Sequence, residues 1–332
     1  MNQENSGNKE PNLLPKINLF TMFRLGFFQL GLGMMSVLTL GLINRVAIDE
    51  LKVLPLIAAG AIAMHQLVAP ARVWFGQLSD AKPLFGYHRS GFIIIGAAVF
   101  GITSFIAVQV MWQLGISLEA TGWSFSTYLW SALLALTFAF YGLALSASST
   151  PFAALLVDVS DEEERSKLIG VVWSMLMVGI VVGAIVISRL LNTPEICGAA
   201  ILNYDPSQGQ AVTNISQLQS SINPVFIIVP AIVFGLALLS TWGVEKKYSR
   251  YSTRSMAVQR EDKITLGSAL KVLTASPQTG IFFSFLLVLT ISLFMQDAVM
   301  EPYGGEVFGM CISETTQLNA FFGTGTDRKS VV

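Results

Sequence analysis

The side chains able to do chemistry are few, and they sit inside or at the ends of long apolar runs. Gln296, Asp297 and Glu301 close one such run; with the carboxylates four positions apart, a helix continuing past Gln296 would present both acids on one face. Like charges held that close require a shared proton, a cation or water. The candidate roles are proton coupling and partner recognition, and the plainer reading is a hydrated helix end terminated by Pro302. His65 lies beside Gln66 in the middle of another run. Buried polar groups in membranes usually face partners within the bundle, which favours a hydrogen bond to a neighbouring helix over a ligand role. Gln29 and Gln109 are weaker candidates of the same kind. Asp80, Arg89, Asp158 and Arg165 lie in two charge-rich interruptions, Gly76 to Ser90 and Asp158 to Lys167. They are expected to form one network, a conformational latch that holds the bundle in one state and breaks in another. For the second interruption, a Ser160/Glu163 capping box under an acidic first turn is the structural alternative.

Positioning these groups falls to helices that cross a membrane. Of 332 residues, 53% are hydrophobic and only 12% charged, a balance far from that of a water-soluble domain. The fold class is an all-α polytopic membrane protein. Windows of about twenty apolar residues place spans near Leu25–Asn44, Pro55–Phe75, Gly91–Met111, Thr127–Ser146, Leu168–Ser188, Pro224–Gly243 and Gly280–Met295, with Thr315–Thr326 opening another. Residues 1–24 form a polar tail and an interfacial segment, 25–243 a six-helix bundle, 244–278 a basic connection, and 279–326 the first one or two helices of a second bundle. Residues 327–332 read like a translated sequencing-library adapter and are expected to be non-native, so the chain is read as C-terminally truncated. Within the connection, Ile264, Leu266, Leu270 and Leu273 suggest a helix on the membrane surface.

Basic residues crowd one side, among them Lys16, Arg24, Arg72, Lys82, Arg89, Arg165, Lys246 and Lys247, against Arg45, Lys52 and Arg189 on the other. The N-terminus is therefore expected to be cytoplasmic. Arg24 and Arg72 suit snorkelling to headgroups. Trp112, Trp123, Tyr128 and Trp130 suit an interfacial belt. The glycines of the first span and the Gly179/Gly183 pair suit close helix packing. Cys197 and Cys311 read as two unrelated thiols. Asn214-Ile215-Ser216 has the form of a glycosylation sequon, a short pattern frequent by chance. No arrangement for covalent catalysis, nucleotide binding or a metal cluster is legible, so neither an enzyme nor a nucleic-acid partner is expected; the lipid bilayer is.

The loop Gly76-Gln77-Leu78-Ser79-Asp80, followed by Gly86 and Arg89, resembles the loop between helices two and three of the major facilitator superfamily, whose two six-helix halves are parallel repeats. More specifically, Gln296 to Met310, Ser146 to Asp158 and Thr315 to Phe321 resemble the PucC or bacteriochlorophyll-delivery family of that superfamily, in its cyanobacterial form. That resemblance implies a protein of thylakoid or photosynthetic inner membranes that assists assembly of light-harvesting or photosystem complexes, as a carrier of (bacterio)chlorophyll or as a pigment-free scaffold. It makes chlorophyll a candidate ligand and His65 a candidate axial ligand to its magnesium. A proton-coupled transporter of a small solute is the alternative.

Overall fold

A computed structural model describes residues 17–192, 215–249, 276–294 and 297–327. Those residues are helical almost throughout, as hydrocarbon demands of a spanning chain that must satisfy its own backbone. Among the described residues six helical rods are long and apolar enough to cross a membrane, and the expected span near Gly280–Met295 is a shorter apolar helix, Pro277–Ser292.

The first rod, Leu19–Glu50, starts where the Asn18 side chain accepts from Thr21 N–H at 2.9 Å. It runs as α1 (Leu19–Ser36), π-helical turns over Val37–Leu42, the short α2 (Ile43–Arg45) and further π turns over Val46–Glu50. Leu19 to Phe23, expected as an interfacial segment, thus belong to the first helix, and Arg45 lies inside the rod rather than in an outer loop. The second rod is broken: α3 (Pro55–Leu67) and α4 (Ala71–Ala81) meet at a turn over Val68, Ala69 and Pro70. Pro70 has no N–H to continue the ladder, and an X-Pro step disfavours helix at the residue before it. Helix therefore persists through Gly76 to Ala81, and the polar interruption begins only at Lys82.

The next rods are α5 (Ser90–Thr121), α6 (Phe125–Val159) and α7 (Glu162–Leu191). Next come α8 (Ile215–Ile222), α9 (Val225–Thr241) and α10 (Val244–Tyr248), then α11 (Pro277–Phe294), α12 (Asp297–Phe308) and α13 (Ile312–Asp327). Asp158 is in the last turn of α6, not in a loop. The Ser160 hydroxyl turns back to Leu156 O at 2.7 Å and Asp161 takes the N-cap of α7 without a side-chain cap bond, so the expected capping box is absent.

α1 and α7 touch backbone to backbone: a Cβ on Gly33, Gly179 or Gly183 would strike the facing main chain. Arg24 donates to the last carbonyls of α9, Leu239 O at 2.8 Å and Trp242 O, so it terminates a helix. Trp112 is fully buried and donates to Asn223 Oδ1 at 3.0 Å; Gln109 donates to the same oxygen at 3.0 Å. Cys311 is disulfide-bonded, against the expectation of unrelated thiols; the other cysteine, Cys197, lies outside the described residues. Gln296, the sequon asparagine and the segment Ile264 to Leu273 also lie outside them.

Candidate functional site

A cavity of about 480 Å³ opens between the first, second, fourth and fifth rods. The break in the second rod places two of its residues there, His65 at the end of α3 and Arg72 at the start of α4. Non-helical backbone at membrane depth is tolerated where it is packed against protein or lines a cavity, and broken helices mark binding sites in many carriers. Gly142 of α6 makes the close approach feasible: a Cβ there would lie 2.7 Å from His65 Cα and 2.7 Å from Val68 Cγ2.

His65 is 8% exposed and its Nδ1 lies 2.5 Å from Ile62 O. A carbonyl only accepts, so Nδ1 carries the proton and a neutral ring keeps its lone pair on Nε2. Among the described residues Nε2 has no hydrogen-bond partner. The hydrogen bond expected of His65 thus stays within its own helix, and its contact with α6 is an edge-on approach to Tyr141, 6.3 Å between centroids. Tyr141 in turn has its hydroxyl 3.3 Å from Thr39 Oγ1. The Thr150 hydroxyl is buried without a partner among the described residues. Gln29 also lines the cavity, whereas Gln109 is engaged elsewhere. Trp173, 55% exposed, and Arg72, also exposed, stand at the mouth.

A second constellation gathers on the side of Arg89, which is 5% exposed. Its Nε donates to Asp158 Oδ2 at 2.9 Å, Nη1 to Ser79 Oγ at 2.6 Å, and Nη2 pairs with Asp80 Oδ1 at 2.5 Å. Burial lowers the guanidinium pKa, but Asp158 and Asp80 outweigh it, leaving a net rise above the usual arginine value. Arg165, expected in the same network, makes no ion pair among the described residues, and its Nε is buried without a partner. Glu245, which sequence reasoning passed over, completes the assembly. Its carboxylate accepts from the backbone N–H of His88 at 2.7 Å, Arg89 at 3.1 Å and Ser90 at 2.7 Å. It thereby caps the start of α5 from 155 residues away, while Lys246 sits 5.3 Å over the Tyr87 ring.

A third constellation joins the far end of the first rod to α12 and α13. Glu301 is 1% exposed, accepts from Asn319 Nδ2, and lies where a Cβ on Gly41 would be. The expected hydrated helix end is therefore absent, and Pro302 is inside α12 rather than at its close. Next to it Arg45 pairs with Asp49 and, at 3.4 Å, with Glu50. Gly305 packs on that pair so closely that a Cβ would collide with it. The i,i+4 spacing of Arg45 and Asp49 was a signal in the sequence that an apolar rod continued through charge. Of Asp297 only the backbone, at the start of α12, is described.

A family model described as PUCC protein matches residues 42–327. The chain is 29% identical over 304 residues to the bacteriochlorophyll synthase 44.5 kDa chain of Rhodobacter capsulatus, covering 90% of this chain and 60% of that protein. It is 29% identical over 316 residues to Protein PucC of Rhodobacter capsulatus, covering 94% and 62%. With Protein PucC of Cereibacter sphaeroides the identity is 28% over 315 residues, covering 93% and 61%. The chain thus spans about three fifths of the length of these curated relatives. The family match covers most of the sequence, from within the first rod to the end of α13, and the chain belongs to the PUCC protein family.

Proposed function

We propose that this protein works in the biogenesis of photosynthetic complexes, holding (bacterio)chlorophyll within a thylakoid or photosynthetic inner membrane and handing it to light-harvesting or photosystem proteins. One relative's name refers to bacteriochlorophyll and others are named PucC. The observation that carries the reading is His65 Nε2, a lone pair with no hydrogen-bond partner among the described residues, on a helix that lines the cavity. A neutral imidazole fixed in this tautomer is the form that can coordinate magnesium. The apolar wall and Tyr141 suit a flat macrocycle, and the N-terminus is taken to face the cytoplasm. On this reading the network of Arg89, Asp80, Asp158 and Glu245 acts as the latch, holding the rods closed around the cargo.

The test is chlorophyll uptake by the purified chain in lipid nanodiscs, followed by absorption and resonance Raman spectra. We expect retained pigment with one axial nitrogen ligand, and loss of that coordination signature in His65→Ala. Failure of the wild-type chain to retain pigment would remove the carrier reading; antenna proteins co-purifying with the pigment-free chain would favour a scaffold. One further observation favours a proton-coupled alternative: Glu301, accepting from Asn319 beside the Arg45/Asp49 pair, is a buried carboxylate.

A further inference from the structure

Arg72 distinguishes this cavity from a merely apolar one. Every other polar side chain lining it is neutral or can be so: Gln29, Ser36, Thr39, His65, Tyr141, Ser149 and Thr150. Among the described residues no carboxylate lines the cavity and Arg72 makes no ion pair. Its placement raises its appetite for an anion. It stands in the first turn of α4, where the helix dipole adds to a positive charge rather than opposing it. A cation there attracts negative charge more strongly than the same cation at a helix C-terminus. Arg72 and His65 line the same cavity from either side of the break in the second rod. A tetrapyrrole presents its metal at the centre and its propionate at the rim, so one ligand would meet both residues.

We propose that the cavity prefers its tetrapyrrole as the free carboxylate, before esterification with a long-chain alcohol, with Arg72 binding the propionate. This rests on the carrier reading above and adds the chemical class of the cargo. A guanidinium binds a carboxylate through paired N–H donors and gains nothing comparable from an ester, which carries no charge. The buried Thr150 hydroxyl offers a further polar contact to the same ligand. The competing source of an anion at this position is a phospholipid headgroup.

The experiment titrates the chain in phosphatidylcholine nanodiscs with a zinc chlorin bearing one free propionate and with its methyl ester, reading the absorption shift on coordination. The expected result is tighter binding of the acid by about tenfold, the effect of one charge-assisted contact. Arg72→Gln should abolish that difference by weakening the acid alone, and Arg72→Lys should restore part of it. Equal affinity of the wild-type chain for acid and ester would overturn the inference and leave the carrier reading standing. Binding of neither compound removes both. Equal weakening of both compounds in Arg72→Gln makes Arg72 a packing residue. If native mass spectrometry shows that Arg72→Gln loses bound phospholipid while the acid preference persists, Arg72 is a headgroup anchor and the inference fails.

Discussion

At the scale of single residues, Arg89 is the clearest case of a charge that burial alone would not tolerate. Its three directions are all used, by Asp158, Ser79 and Asp80. Removing it takes the guanidinium from Asp158, itself 6% exposed. Arg89→Ala is expected to cost about 3–5 kcal/mol, read as a lower midpoint in thermal or denaturant unfolding of the detergent-solubilised protein. Arg89→Lys should recover less than half of that loss, because an ammonium cannot reproduce the planar fork; full rescue would mean that charge alone matters. The raised pKa of Arg89 fixes the sign of any pH effect. Its contribution is complete below the unfolded-state value and is lost only as pH rises through the higher folded-state value, so alkali within the working range leaves the pair intact.

At the scale of elements, what could be read in advance depended on whether a signal was local. The six rods follow from runs of apolar residues, and their positions matched the spans expected from hydropathy. Their true lengths did not, because charged pairs such as Arg45 and Asp49 neutralise one another inside a helix while looking like loop residues in a linear window. The break at Val68 to Pro70 had its cue in Pro70 but was hidden by the uniform apolarity around it. Gly142 matters only through α3, a partner more than seventy positions away, so no local rule exposes it. Gly142→Ala is expected to push the end of α3 outward and destabilise the protein by about 1–3 kcal/mol, as overpacking does. Chlorophyll retention should fall with it, whereas Gly170→Ala, where an added Cβ meets open space, should leave retention unchanged. Equal retention in both variants would detach Gly142 from the cavity.

At the scale of the whole molecule, the family was legible in the stretch from Gln296 to Met310, whereas the candidate site was only partly so. His65, Asp80, Arg89, Asp158 and Glu301 stood out by type. Their partners Ser79, Glu245 and Asn319 did not: Ser79 and Asn319 are uncharged side chains of common type, and Glu245 meets the start of α5 from 155 residues away. Glu301 lies outside the cavity, on the other side of the Gly41 region of the first rod. Glu301→Gln keeps an acceptor for Asn319 and removes the charge. We expect the variant to fold and its chlorophyll affinity to change by about fivefold or more, a typical coupling between separated sites. An unchanged affinity would show that the two constellations are independent.

The continuity of Leu19–Glu50 gives that coupling a mechanical form. Thr39 in the cavity wall and Arg45 in the ionic cluster stand six positions apart on that rod, across the π-helical turns of Val37–Leu42. The Gly33 contact with α7 lies on the N-terminal side of both. On the carrier reading, a tilt of the rod about that contact to admit cargo would carry Thr39 and Arg45 the same way and shift the Arg45/Asp49 pair against Gly305, so that filling the cavity is felt at the ionic cluster.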